Sequence, residues 1–306
     1  MLNDLEKSIL KVMCYFDGLS RPLTIMEIYR WLGQRADFSE LFLALGGENL
    51  RRVIGQENGF YFLAGGEDSA TKRLSRYAVS AVKMKKALRM AKIFKWFPWV
   101  KAIAVYSSLS FFNSEKESDI DFFVIAAKGR VWSARFFLNS FLKIFNLRPD
   151  ERTSEDKFCL SFLVDEDSLD LGPAIDGEND FHYIASHSQF VFLLGDDDLI
   201  SRFFGNNRHI MNSFPNWQPY WFGDKISFSE HWLKNAMEIF FGLFLEKFYR
   251  RVQFLILPAR AKEAAGSGKA VILSEKMIKL HYNDKRQIFN DKFRQNFKQI
   301  INAFQN

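Results

Sequence analysis

Residues 104–125 read Ala104-Val105-Tyr106-Ser107-Ser108-Leu109-Ser110-Phe111-Phe112-Asn113-Ser114-Glu115-Lys116-Glu117-Ser118-Asp119-Ile120-Asp121-Phe122-Phe123-Val124-Ile125. An apolar run of strand length, Val100 to Tyr106, stops at two serines. A polar turn, Ser107 to Ser118, then leads into a second apolar strand, Asp119 to Ala127. Asp119 and Asp121 lie two residues apart, so on a strand their side chains share one face. Two carboxylates held this way suit one or two hard cations, magnesium being the usual choice beside phosphate. Ser107-Ser108, in a tight turn directly after a strand, can offer backbone N–H groups and hydroxyls to phosphate oxygens. These features together would seat a nucleoside triphosphate, bridged by metal to the carboxylates, for in-line attack on the α-phosphorus and release of pyrophosphate.

The order of strand, paired small residues, a short interval and Ser-Asp-Ile-Asp inside an apolar strand resembles the polymerase-β-like nucleotidyltransferase superfamily. The resemblance covers roughly residues 85–165. It implies a small mixed-sheet α/β (α+β) nucleotidyltransferase fold. It also implies magnesium-dependent transfer of a nucleoside monophosphate from NTP to a nucleic acid, protein or other acceptor. Asp119 and Asp121 map onto the catalytic metal carboxylates, with two Mg2+ ions expected, and Ser108 maps onto the motif serine. Ser107 stands where the family usually has glycine, and Phe111-Phe112 replace small or basic residues. Active members add a third carboxylate from the next strand. Here that strand, Lys157 to Val164, contains no acid, and Asp156, Asp165 and Glu166 flank it. A nucleotide-binding sensor without catalysis is therefore a second reading.

Working outward, the length suggests roughly two domains. Leu5, Ile9, Val12, Met13 and Phe16 have helical spacing. Thr24/Glu27 and Asp37/Glu40 have the spacing of capping boxes ahead of two more helices. Asn58-Gly59 between Arg52–Ile54 and Phe60–Leu63 signals a hairpin. Three helices and a hairpin form a winged-helix pattern over residues 1–66. The third helix, Phe38 to Leu45, carries no Lys or Arg, which disfavours a base-reading role. A winged-helix DNA-binding regulator stays as the third reading, with a packing or protein-interaction module as its plain alternative. The nucleotidyltransferase-like unit is expected over 67–170, opening with a long helix, Ser69 to Lys95, that Pro98 ends and including a helix over Val131 to Phe145. Residues 171–306 read as a mainly helical region that would supply a base or acceptor pocket.

Composition sets the remaining limits. Nearly half the residues are apolar, so a large core is possible and global disorder is excluded. The 34 phenylalanines read as core filling. A net charge of +6 and a pI near 9.1 are compatible with nucleotide or nucleic-acid partners. The basic run from Lys72 to Lys95 reads as one solvated helix face. Cys14 and Cys159 are too few and too far apart for a disulfide framework or a zinc site. No secretory pattern opens the sequence, and charges interrupt the apolar stretch from Ala236 to Leu257. A cytoplasmic protein without a membrane span is expected. Gly266-Ser267-Gly268-Lys269 lacks the spacing of a phosphate-binding P-loop. Lys128, Arg130 and Arg135 read as surface charges, His182 and His187 as structural, and the cluster His281 to Arg286 as a polar helix cap.

Overall fold

Local caps set the N-terminal elements. Asn3 and Glu6 exchange side-chain and backbone hydrogen bonds at the start of helix α1 (Asp4–Gly18). Thr24 and Glu27 do the same for α2 (Ile25–Trp31). Asp37 N donates to the Glu40 carboxylate at 2.9 Å where α3 (Phe38–Gly46) begins. A short α4 (Glu48–Arg51) leads into a hairpin. Its strands β2 (Ile54–Glu57) and β3 (Phe60–Leu63) turn through Asn58 and Gly59, both at positive φ. The first strand therefore starts later than the expected Arg52. A two-residue strand β1 (Leu23–Thr24) completes the antiparallel sheet β1-β3-β2. The outer face of α3 presents Phe38, Phe42 and Leu43.

The protein was analysed as a computed structural model. It describes residues 1–65, 70–150, 152–175, 180–219, 226, 236, 238, 245–265, 269–281 and 285–305. Three stretches read from the sequence fall partly outside these residues. They are the apolar stretch 236–257, the P-loop-like 266–269 and the cluster 281–286.

The main sheet is mixed, with strand order β7-β4-β5-β6-β9-β8. It comprises β4 (Val100–Val105), β5 (Ile120–Ala126), β6 (Phe158–Asp165), β7 (Val191–Leu194), β8 (Val271–Leu273) and β9 (Met277–Leu280). Only β5 and β6 run parallel. The described residues of 171–306 are mainly helical, but they also supply three of the six strands, so the sheet crosses the boundary drawn at residue 170. Phe122 and Val124 alternate with Phe123 and Ile125 along β5 and enter two different cores. One core packs beneath α5 (Ala70–Phe94) and α7 (Val131–Ile144). The other packs beneath α8 (Phe181–Ser188) and α9 (Asp197–Asn206), where Phe162, Phe190, Phe192 and Phe203 fill the space as the composition suggested. A C-terminal helix, Arg286–Ala303, packs on α1 through Phe293 and Phe297. No helix among the described residues is long and apolar enough to cross a membrane.

The basic face of α5 is not wholly solvated, contrary to expectation. Arg73 is 5 % exposed and Lys83 only 2 %. The Lys83 ammonium donates to Lys116 O at 2.9 Å, to Ser118 O at 2.7 Å and to Asp156 Oδ1 at 3.1 Å, so it ties down the turn that ends at Asp119. Replacing it by methionine would strand two carbonyls and leave Asp156 with Lys86. Lys83→Met is expected to cost about 2–3 kcal/mol, because hydrogen bonds to a charged group are being lost. Chemical denaturation should register that loss, and an unchanged unfolding free energy would disprove the stapling role.

Candidate functional site

The first carboxylate, Asp119, sits one residue ahead of β5, and Asp121 is the second residue of that strand. Both are on the α8 side of the sheet, the face taken by Phe123 and Ile125. Directly opposite Asp121 across the parallel pair stands Cys159 of β6. Ligand atoms of Asp119, Asp121 and Cys159 all lie within 4.8 Å of one another, and all three residues are half-buried. No third carboxylate joins them among the described residues. The acids that flanked β6 in the sequence are engaged elsewhere. Asp156 pairs with Lys83 and Lys86, Asp165 accepts from Gly129 N, and Glu166 accepts from Lys128 N.

Ser107 opens α6 (Ser107–Ser110), a single helical turn inside the expected polar loop. Its φ is 62°, the left-handed region in which a side chain costs about 1–2 kcal/mol and which glycine enters freely. The Ser107 side chain lies close enough to the Asp121 carboxylate to ease its charge. Ser107 thus takes a backbone that favours glycine while placing its side chain beside the acid. Ser108 and Ser114 hydroxyls lie 3.4 Å apart beside it.

These groups line one end of a cavity of about 560 Å³, a size that accommodates small-molecule ligands. The far wall comes from the region past residue 180, including residues first read as structural or as a cap. Tyr106 Oη lies 2.8 Å from Ser161 Oγ and 2.7 Å from His281 Nε2, and its ring stacks on His281. Lys279, fully buried, sits with its ammonium over the Tyr183 ring, and Arg286 pairs with Asp180 at 2.9 Å. His182 and His187 also line the cavity. Arg130 and Arg135 lie apart from it, over Trp99 and against Gln253 respectively, while Lys128 pairs with Asp167. The cavity is thus lined by acidic, basic and aromatic side chains together. No signal in the sequence marked Cys159; its register with Asp121 on the next strand brings it to the cleft.

The electrostatics follow from burial. Asp121 is pushed from its ordinary 3.8 up to about 8 by burial and by the Asp119 charge, against the Ser107 and Cys159 hydrogen bonds. Asp119 is also raised by burial, with its own backbone N–H and Lys83 opposing. Burial first, then Asp121 and Asp119, pushes the Cys159 thiol far up, so it stays protonated at neutral pH. Two carboxylates fit a hard, oxygen-seeking ion. A neutral thiol is a poor magnesium ligand and would favour a softer metal only once deprotonated.

Comparison with protein-family models, with curated proteins and with solved structures finds no match for this chain. The site is therefore read from its own geometry.

A carboxyl raised by folding holds a proton that the unfolded chain has already lost. Between pH 4 and 8 the native state binds more protons, so the Asp121 contribution to stability falls as pH rises through that window. In a chelator-containing buffer, Asp121→Asn is expected to flatten this slope. It should also melt ~2–4 °C above wild type at pH 8, for each kcal/mol relieved. Parallel melting profiles from pH 5 to 9 would rule the account out.

Proposed function

We propose that the protein is a magnesium-dependent nucleotidyltransferase of the polymerase-β-like type that moves a nucleoside monophosphate from NTP to an acceptor. The observation that supports this most directly is the juxtaposition of Asp119 and Asp121 with the left-handed Ser107 turn at one end of the cavity. Asp119 and Asp121 hold a single magnesium ion in this reading, since no third acid accompanies them for a second among the described residues. The chemistry supplied there when magnesium is bound is neutralisation of charge on the phosphate oxygens. Ser107 and Ser108 receive the triphosphate, and the Ser107 hydroxyl keeps Asp121 oriented toward it. The partly exposed His281 ring, which stacks on the buried Tyr106, is the aromatic group a base would meet. Lys279 and Arg286 place positive charge on the wall opposite the acids, suited to an anionic acceptor or to the departing pyrophosphate. The N-terminal unit is read as a winged helix whose apolar α3 face suits a protein partner better than duplex DNA. The cytoplasm is its proposed compartment.

A nucleotide sensor that does not turn over is the second reading, and Cys159 in the place of a third acid favours it. Measuring pyrophosphate release from each of the four ribonucleoside triphosphates with magnesium separates the two. RNA, protein and small hydroxyl compounds should be supplied as acceptors. Release is expected from wild type and should drop ~10³-fold or more in Asp119→Asn/Asp121→Asn, as several kcal/mol of charge stabilisation disappears. Magnesium-dependent nucleotide binding without release selects the sensor. Neither signal removes both readings.

Cys159→Asp places a third carboxylate against the pair. It is expected to tighten magnesium binding about tenfold, one added charged ligand being worth roughly 1.4 kcal/mol. Calorimetric titration with the metal alone checks this, and an unchanged affinity would show that Cys159 does not face the ion.

A further inference from the structure

A second charged cavity lies where the N-terminal unit meets α5 and the serine turn. Arg21 follows α1, Arg30 lies on α2 and Arg73 on α5, and all three surround one carboxylate, Glu27. Arg21 and Arg73 both donate to the same Glu27 oxygen, Arg73 at 2.9 Å. The other Glu27 oxygen is taken by the Thr24 cap, whose backbone N donates to it at 2.9 Å. Arg73 also donates to Phe112 O at 3.0 Å, and Arg30 to Gln189 Oε1 at 2.9 Å. Among the described residues, Arg21 and Arg73 share this one carboxylate, so two guanidinium groups meet one negative charge in a site walled by aromatic rings.

Arg21 is only 6 % exposed and Arg73 only 5 %. Nε and Nη1 of Arg21 and Nε of Arg73 have no hydrogen-bond acceptor among the described residues. Buried donors without a partner are costly, and a buried charge without a counter-charge more so. Burial, only partly opposed by Glu27, pulls the Arg21 guanidinium down to about 10, the direction that unneutralised crowding with Arg73 and Arg30 also favours. The arginines enclose a cavity of about 150 Å³. At ~30 Å³ per water molecule this has room for one tetrahedral oxyanion and not for a nucleotide. Guanidinium is weakly hydrated and forks onto phosphate oxygens, so the unused donors and the surplus charge match a single ligand class.

We propose that the cavity between Arg21, Arg30 and Arg73 binds an oxyanion of the phosphate class. This site is distinct from the carboxylate cleft and does not rest on the transferase reading. Phe111 lines both cavities, and the ligand would sit behind the turn that carries Ser107 and Ser108, with Ser110 in its wall. It would therefore join the N-terminal unit to the serine turn through charge.

Titration of the full-length protein, followed by calorimetry and thermal melting, tests the proposal. The probes are inorganic phosphate and phosphoserine, each compared with sodium chloride at matched ionic strength. Phosphate is expected to raise the melting temperature beyond chloride, and Asp119→Asn/Asp121→Asn should keep the effect. Arg21→Met should weaken binding at least about tenfold, as charge-assisted hydrogen bonds are lost. Arg21→Lys keeps one charge but loses the fork, so it serves if the methionine variant does not fold and should also bind more weakly. Binding of phosphoserine but not phosphate identifies a monoester as the source, and the converse identifies the free ion. No response beyond chloride, wild-type affinity in both Arg21 variants, or loss in the Asp double variant overturns the assignment.

Discussion

The Asp121 carboxylate begins a strand that is otherwise apolar and buried on both faces. A lone charge there would be costly, and the surrounding structure reads as a response to that cost. Ser107 adopts a left-handed backbone beside Asp121, and its side chain eases the carboxylate's charge. Cys159, in register on the parallel neighbour, does the same. Lys83, itself buried, lies close enough to ease the charge on Asp119 while it holds the incoming turn. The same dehydration that makes these acids expensive as bare anions makes them receptive to a cation. A folding constraint and a binding preference thus have one physical origin.

Much of this was legible from local chemistry. Asn58-Gly59 specified its hairpin because both residues tolerate positive φ. Asp119-x-Asp121 implied a shared face because strand side chains alternate. What escaped reading depended on distant partners. β8 and β9 are three- and four-residue strands that exist as strands because β6 offers them an edge. Cys159 gains meaning only from its register with Asp121. His281 read as part of a polar helix cap, and Lys279 carried no reading, until β9 brought them beside Tyr106 and Tyr183.

The buried basic residues of α5 are an intermediate case. Arg73 and Ser80 stand in sevenfold register with Ala87 and Phe94, and Lys83 lies on the same stripe; all five are buried. That spacing is the core-facing spacing of a helix, and it was available in the sequence. The abundance of Lys and Arg around it concealed the pattern, because composition averages over faces that a helix separates. The two buried cations then serve different ends of the fold: Lys83 the acidic turn, Arg73 the N-terminal unit.

The order of the strands bears on how the chain is born. β5 and β6 can pair as soon as residue 165 has emerged, but β9, which covers the open edge of β6, begins at residue 277. Arg286 and the helix that packs on α1 come later still. During synthesis, at ~5–20 residues per second, the acidic end of the cleft is therefore laid down several seconds before its basic wall. In that interval the ribosome-bound chain carries a bare strand edge and a half-built cleft. The nascent protein is inert toward any ligand that needs both walls, and it is exposed to mispairing until residue 280 arrives.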